Sequence, residues 1–348
     1  MKEEYSKVIE DLKYCRIYSS TESVLAGLGL LQRVVLDSSS VDELAKEMLE
    51  VVPPLLNARP TSAMLWNYTR RFVAEVVGLL ERGLDLDSIK EESTSAIGEI
   101  RGEIEELRET VAGIASRRIE DGDVILTNSY STFVLRALER GLKEGREFEV
   151  YVAESRPGSE GLELAARLES MGIRTTLFVD SAVRYFMKDV DKVFLSCEAV
   201  AANGAVVNKV GSSLIALAAS EARVRVLVLA PTAKFCPETL MGELVELAEG
   251  RESDILPLEL AREGVRARVP LFDVTPPEYV DAIVTERGLI APQAVVVVLR
   301  ELYGWPFKFA TIEEIVEGLK RLVEEWILPT LLFVCPPGCG KTAAILAL

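Results

Sequence analysis

From Asp121 onward the chain repeats one pattern: a short β-branched run, a longer stretch with helical spacing, then another short run. Residues 124–126, 148–152, 175–179, 193–195, 224–229 and 280–284 read as strands. Between them, residues 132–142, 160–171, 214–221 and 237–247 read as helices. Two parallel strands need a crossover long enough to hold a helix, so this alternation predicts a parallel sheet with helices on both faces. In open sheets of that kind, ligands sit beyond the carboxyl ends of the strands. The expected fold is α/β: an N-terminal helical domain followed by a Rossmann-like parallel-sheet domain.

The first part of the chain has no strand pattern. Residues 41–51, 63–80 and 88–114 carry apolar side chains at three- and four-residue spacing, as amphipathic helices do. Ser39 or Ser40 is placed to cap the first of these, and Pro53-Pro54 is expected to end it. The acidic stretch 99–109 reads as a solvated helix face. Three segments result: a helical domain at 1–117, a Rossmann-like domain at 118–308, and a distinct tail at 309–348.

Composition removes several chemistries. The chain has 348 residues and no histidine, which excludes Ser-His-Asp and Cys-His catalysis and imidazole metal ligands. Acid–base work must fall to carboxylates, Lys, Cys or Tyr. Asp and Glu number 55 against 39 Lys and Arg, a formal charge of −16, which argues against a nucleic-acid surface. Five scattered cysteines lack a second ligand pair for zinc, and their odd number suits a reducing, cytoplasmic setting. No apolar run reaches transmembrane length, so no membrane span is expected.

The densest motif is Asn203-Gly204-Ala205-Val206-Val207-Asn208-Lys209-Val210-Gly211-Ser212-Ser213. It follows a strand and opens an apolar helix. Free N–H groups at a helix start favour phosphate, and Lys209 adds a full charge. Read without further context, the same stretch is equally an ordinary turn into a helix with one solvated lysine.

Asn203-Gly204 followed by Asn208-Lys209-Val210-Gly211 also resembles the signature of a known family. That family unites the alpha, beta and delta subunits of translation initiation factor 2B with ribose-1,5-bisphosphate isomerase and methylthioribose-1-phosphate isomerase. Further anchors run in the family's order: Arg59-Pro60-Thr61, Ile125-Leu126-Thr127-Asn128-Ser129-Tyr130-Ser131, Glu154-Ser155-Arg156-Pro157 and Val179-Asp180-Ser181-Ala182. Phe272-Asp273-Val274-Thr275-Pro276-Pro277-Glu278-Tyr279 closes the set. The likeness covers residues 13–308 and, over 272–287, is closest to the archaeal ribose-1,5-bisphosphate isomerase branch.

The resemblance implies the site. The isomerases place a cysteine in the loop after the first strand and an aspartate upstream of the Asn-Lys pair; here those positions hold Ser129 and Glu198. Serine is a far weaker acid than cysteine, and glutamate shifts the carboxyl by one methylene. Arg59, Arg156, Asn208, Lys209 and Gly211 are the implied phosphate-binding residues. Two departures weaken that set: Tyr18-Ser19 stands where the isomerases have Arg-Gly, and Glu160 stands where they have Gln. Beside these, Cys197 reads as a small buried hydrophobe, Lys234 as an anion contact or a solvated lysine, and Asp273 as a sugar-hydroxyl partner or a loop cap.

On these departures the sequence reads as a non-catalytic initiation factor 2B-like interaction or regulatory protein with a vestigial sugar-phosphate or nucleotide pocket. The alternative is an isomerase interconverting ribose 1,5-bisphosphate and ribulose 1,5-bisphosphate. The resemblance implies self-association through the sheet domain as a dimer or hexamer, with initiation factor 2 and a sugar phosphate or AMP as candidate partners. No cofactor and no metal are expected. The tail resembles the start of a clamp-loader small subunit: Gly340, Lys341 and Thr342 match the end of a P-loop, but Cys335 holds the first glycine's place. The segment reads as a vestigial P-loop and not as a working ATPase.

Overall fold

The computed structural model describes residues 1–17, 19–304, 314 and 316–321. Helices come first: α1 (Glu3–Lys13), α2 (Ser20–Asp37), α3 (Val41–Ala58), α4 (Ala63–Glu81) and α5 (Leu86–Ser116). Ser40 caps α3, accepting from the backbone N–H of Glu43. The helix does not stop at Pro53-Pro54 but runs on to Ala58. A proline inside a helix costs about 3 kcal/mol, and here Leu55, Leu56 and Ala58 beyond it are buried, each large side chain returning ~1.5–3 kcal/mol. That continuation carries Arg59 to the end of α3.

The chain then alternates: β1 (Val124–Asn128), α6 (Thr132–Lys143), β2 (Glu149–Ala153), α7 (Glu160–Ser170), β3 (Arg174–Phe178), α8 (Val183–Phe186) and β4 (Lys192–Leu195). A hairpin follows, β5 (Ala199–Val200) and β6 (Val206–Lys209), then α9 (Ser212–Ala222) and β7 (Arg225–Leu229). The chain continues through α10 (Leu258–Arg262), β8 (Phe272–Thr275), β9 (Ala282–Thr285), β10 (Gly288–Ile290) and α11 (Val295–Tyr303). Among the described residues, seven strands form one sheet in the order β10-β9-β7-β4-β1-β2-β3, parallel except for β10 against β9.

Alternate strand residues divide between two cores, as a pleated sheet covered on both faces requires. Val193, Leu195, Val226 and Val228 face one core with Ile215 and Ala219 of α9 and Val298 of α11. Phe194, Leu227 and Leu229 face the other with Val111 of α5, Phe133 of α6 and Leu164 of α7. The helix α5 is 31 residues long, about 46 Å at the usual rise. Its Ile89 to Ile104 stretch belongs to the helical core and its Val111 to Ala115 stretch to the sheet core. Val316 and Leu319, near the end of the described chain, are buried in the helical core.

Two expectations for this region change. Residues 237–247 are not a long helix: a 3₁₀ turn at Pro237–Met241 ends at Gly242, which has a φ of 87°. Leu244 beyond it is 93% exposed, so these apolar residues have no common buried face to hold a helix. The Asn-Gly motif is not a simple strand–turn–helix either. It is the β5–β6 hairpin, and β6 pairs next with β8 to make a small antiparallel sheet of its own. Gly204, at φ 86°, makes the turn, and a Cβ there would lie 2.3 Å from the carbonyl oxygen of Pro292.

Among the described residues, no helix is long and apolar enough to cross a membrane. Tyr18 and the tail motif Gly340, Lys341 and Thr342, with Cys335 and Cys339, lie outside the described residues.

Candidate active site

The parallel register aligns the carboxyl ends of β1, β2, β4 and β7, pairing Asn128 with Ala153 and Leu195 with Val228. The loops that leave these ends converge, as such sheets dictate. They form a small polar pocket lined by Ser20, Arg59, Asn128, Ser129, Glu198 and Lys209, among others. Its free volume is about 20 Å³, room for little more than one water.

Glu198 lies between β4 and β5 and is buried. Its N–H donates to the carbonyl of Val207 at 2.8 Å, and its carbonyl accepts from the N–H of Ala63 at 3.1 Å. The hairpin and the start of α4 thus hold its backbone from both sides. Its Oε1 accepts from Nη2 of Arg59 at 2.8 Å. The Nη1 of Arg59 donates to the Ile17 carbonyl at 2.8 Å and to Ser23 Oγ at 2.6 Å. Burial works against the Arg59 charge, but Glu198 beside it outweighs burial and raises the guanidinium's pKa. The Oε2 of Glu198 is buried and has no hydrogen-bond partner among the described residues.

Ser129 sits just beyond β1 with a φ of 59°, and its N–H donates to Ser155 Oγ at 2.7 Å. Ser155 is in turn fixed by Asp180, whose carboxylate accepts from the N–H groups of Ser155 and Arg156 at 2.8 and 2.7 Å. Three of the sequence anchors therefore serve one purpose: they lock the Ser129 loop. Arg156 is exposed on that loop and is not among the residues lining the pocket.

The Asn208-Lys209 pair lies on β6, directly before α9. Ser212 Oγ accepts from Nδ2 of Asn208 at 2.9 Å and from Nδ2 of Asn128 at 3.0 Å, and donates to the Lys209 carbonyl at 2.7 Å. Lys209 is buried, 2.5 Å from Oε1 of Glu160, with its ammonium over the Phe272 ring. The expected cradle of free N–H groups at Gly211 is already filled: Asp273 accepts from the N–H of Gly211 at 2.8 Å and of Ser213 at 3.2 Å. Of the two readings of Asp273, the cap is the one seen. Burial pushes its pKa up to about 6, although both backbone donors pull the other way.

Lys234 is not solvated. It is 1% exposed and donates to Ser196 Oγ at 3.2 Å and to the Cys197 carbonyl at 2.7 Å, its ammonium lying over the Phe133 ring. Burial lowers its pKa. Cys197 is the small buried hydrophobe that the sequence suggests: it lies in the sheet core, and burial pushes its thiol up to about 12. Ser155, Ser212 and the neutralising role of Glu160 were not read from the sequence. Their only signal was position within the family anchors. Among the described residues, no group of three or more suitable side chains is placed to hold a metal ion.

Comparison with known proteins decides the family. The pattern of the "Initiation factor 2 subunit family" matches residues 16–292. The chain belongs to that family. Within it, the ribose 1,5-bisphosphate isomerase of Pyrococcus furiosus is 39% identical over 270 residues, 77% of this chain and 83% of that protein. A Pyrococcus furiosus protein described as eIF-2B subunit 2-like is 30% identical over 292 residues, 83% of this chain and 97% of that one. The solved translation initiation factor eIF-2B of Pyrococcus horikoshii superposes with a TM-score of 0.72 at 28% identity, covering 85% of this chain and all of that one.

These family members correct the sequence reading of a non-catalytic protein. Six archaeal relatives named ribose 1,5-bisphosphate isomerase share 33% to 39% identity with this chain. That likeness runs over three quarters of the chain, whereas the departures from it at 129 and 198 are two side chains. The carboxyl is present at 198, held at one oxygen by Arg59 and buried without a hydrogen-bond partner among the described residues at the other.

Proposed function

We propose that the chain is an aldose–ketose isomerase that converts ribose 1,5-bisphosphate to ribulose 1,5-bisphosphate. The observation that carries this reading is Glu198, a buried carboxylate with Oε1 fixed by Arg59 and Oε2 without a partner among the described residues. Burying an unsatisfied carboxylate oxygen costs free energy, and a sugar hydroxyl supplies the missing donor. The isomerisation adds and removes no atoms overall. The hydrogen on C2 moves to C1, the C2 hydroxyl gives up its proton, and the ring oxygen gains one as the ring opens. Glu198 Oε2 takes the hydroxyl proton and returns it to the ring oxygen, a single group acting first as base and then as acid. Ser129 offers its hydroxyl to the reacting sugar from the opposite loop, Lys209 supplies charge for a phosphate, and Asn208 orients the strand that carries it.

Incubation of the chain with ribose 1,5-bisphosphate is expected to yield ribulose 1,5-bisphosphate, followed by phosphorus NMR. Glu198→Gln is expected to lower kcat by about 10²–10⁴-fold. Absence of product from the unmodified chain, or full turnover by the Gln variant, overturns the assignment.

Self-association through the sheet region belongs to the same reading. Tyr185, Leu214 and Leu217 expose apolar surface on the neighbouring helices α8 and α9. A solved neighbour from C. thermophilum is a tetrameric eIF2B complex, at 24% identity a likeness of fold. Light scattering is expected to give at least a dimer mass; a monomer at micromolar concentration rejects this part.

A further inference from the structure

We propose that the cavity beside Tyr14 is a second subsite of the same active site and receives the other phosphate-bearing end of a sugar bisphosphate. This rests on the isomerase reading and names which side chains select a substrate charged at both ends. The pocket around Glu198 has room for about one water, far too little for a five-carbon sugar with two phosphates. Next to it lies a cavity of about 370 Å³. Lys209 lines both spaces, so it stands on their common wall.

The lining of the outer cavity suits a phosphate and a hydroxyl together. Three cations lie within about 6 Å of the centre of the Tyr14 ring: Lys13 at 5.9 Å, Arg16 at 5.7 Å and Arg251 at 5.5 Å. Lys13 makes no ion pair among the described residues. Arg16 pairs with Asp11 and Arg251 with Asp254, each through one edge of a guanidinium that has five N–H donors. Glu249, also on the wall, is neutralised by Arg268. Glu160 supplies the second half of the argument. It is 3% exposed, its Oε1 is held by Lys209, and its Oε2 has no hydrogen-bond partner among the described residues. A buried acceptor of that kind beside cations calls for a ligand that brings an O–H donor and an anion at once, which is the chemistry of a phosphorylated sugar carbon chain. Glu160, which on sequence alone repels a bisphosphate, is thereby neutralised and becomes a hydroxyl acceptor.

Lys13→Ala/Arg251→Ala alters two exposed side chains and is checked for folding by its Tm. The double variant is expected to raise KM for ribose 1,5-bisphosphate about tenfold or more while kcat changes far less. Turnover by both proteins with equal KM overturns the subsite and leaves the isomerase reading intact. If the unmodified chain turns nothing over, calorimetry with ribose 1,5-bisphosphate decides separately. Binding by the unmodified chain that the double variant loses supports the subsite, and equal binding or none overturns it.

Discussion

Two buried ion pairs flank the pocket, and they differ in what surrounds them. Arg59 and Glu198 join the end of α3 to the loop between β4 and β5, 139 residues apart in sequence. Arg59 also donates to Ile17 and Ser23, so the pair is tied into the helical region as well as the sheet. Lys209 and Glu160 join β6 to the start of α7 and border a cavity large enough for water. In the proposed reaction the first pair fixes the carboxyl that reacts. The second leaves Glu160 neutralised beside the space proposed for the substrate. Buried pairs are seldom retained for stability, since desolvation offsets much of their attraction. Their placement beside one pocket is what the proposed reaction uses.

Removing the cation from each pair separates the two roles. Arg59→Met leaves Glu198 buried and uncompensated and is expected to cost about 3–5 kcal/mol in chemical denaturation, if unfolding is two-state. Lys209→Met is expected to cost less, about 1.5–3 kcal/mol, because the pair lines a larger cavity from which water can enter once the ammonium is gone. Equal losses would erase the distinction between a closed pocket and an open one.

A smaller effect concerns the filled helix start. Asp273→Ala frees the N–H groups of Gly211 and Ser213 and is expected to cost about 1 kcal/mol at neutral pH. Because burial raises the Asp273 pKa from 3.8 to about 6, the native state holds its proton more tightly than the unfolded chain. The proton-linked part of its contribution is therefore full below pH 3.8 and is lost as pH rises through about 6, while the bonds from Gly211 and Ser213 remain at neutral pH. Thermal scans across that window should show this slope in the unmodified chain and a flatter one in the variant. An unchanged slope would mean that Asp273 is not the titrating group.

Much of the site was legible because short motifs fall at strand ends. Ser129, Glu198, Asn208 and Lys209 all line the pocket, and strand-end position alone brings them together. Asp180 and Ser155 were visible as anchors, but the bonds by which they lock the Ser129 loop depend on two β–α loops meeting in space. Glu160 was misjudged for a physical reason: the charge of a residue is in the sequence, but its neutralisation by a partner 49 positions away is not.

By itself the sequence determined the strand–helix alternation, the helical N-terminal region and the residue types at the pocket. These follow from periodicity and from local turn chemistry, which act over a few residues. It also excluded histidine chemistry outright. The tertiary structure decided the rest. It carried α3 through two prolines because buried leucines lie beyond them. It made the Asn-Gly motif a hairpin in its own small sheet and gave the helix start to Asp273 instead of leaving it open. Each of these outcomes depends on a partner distant in the chain, and only packing and desolvation choose that partner.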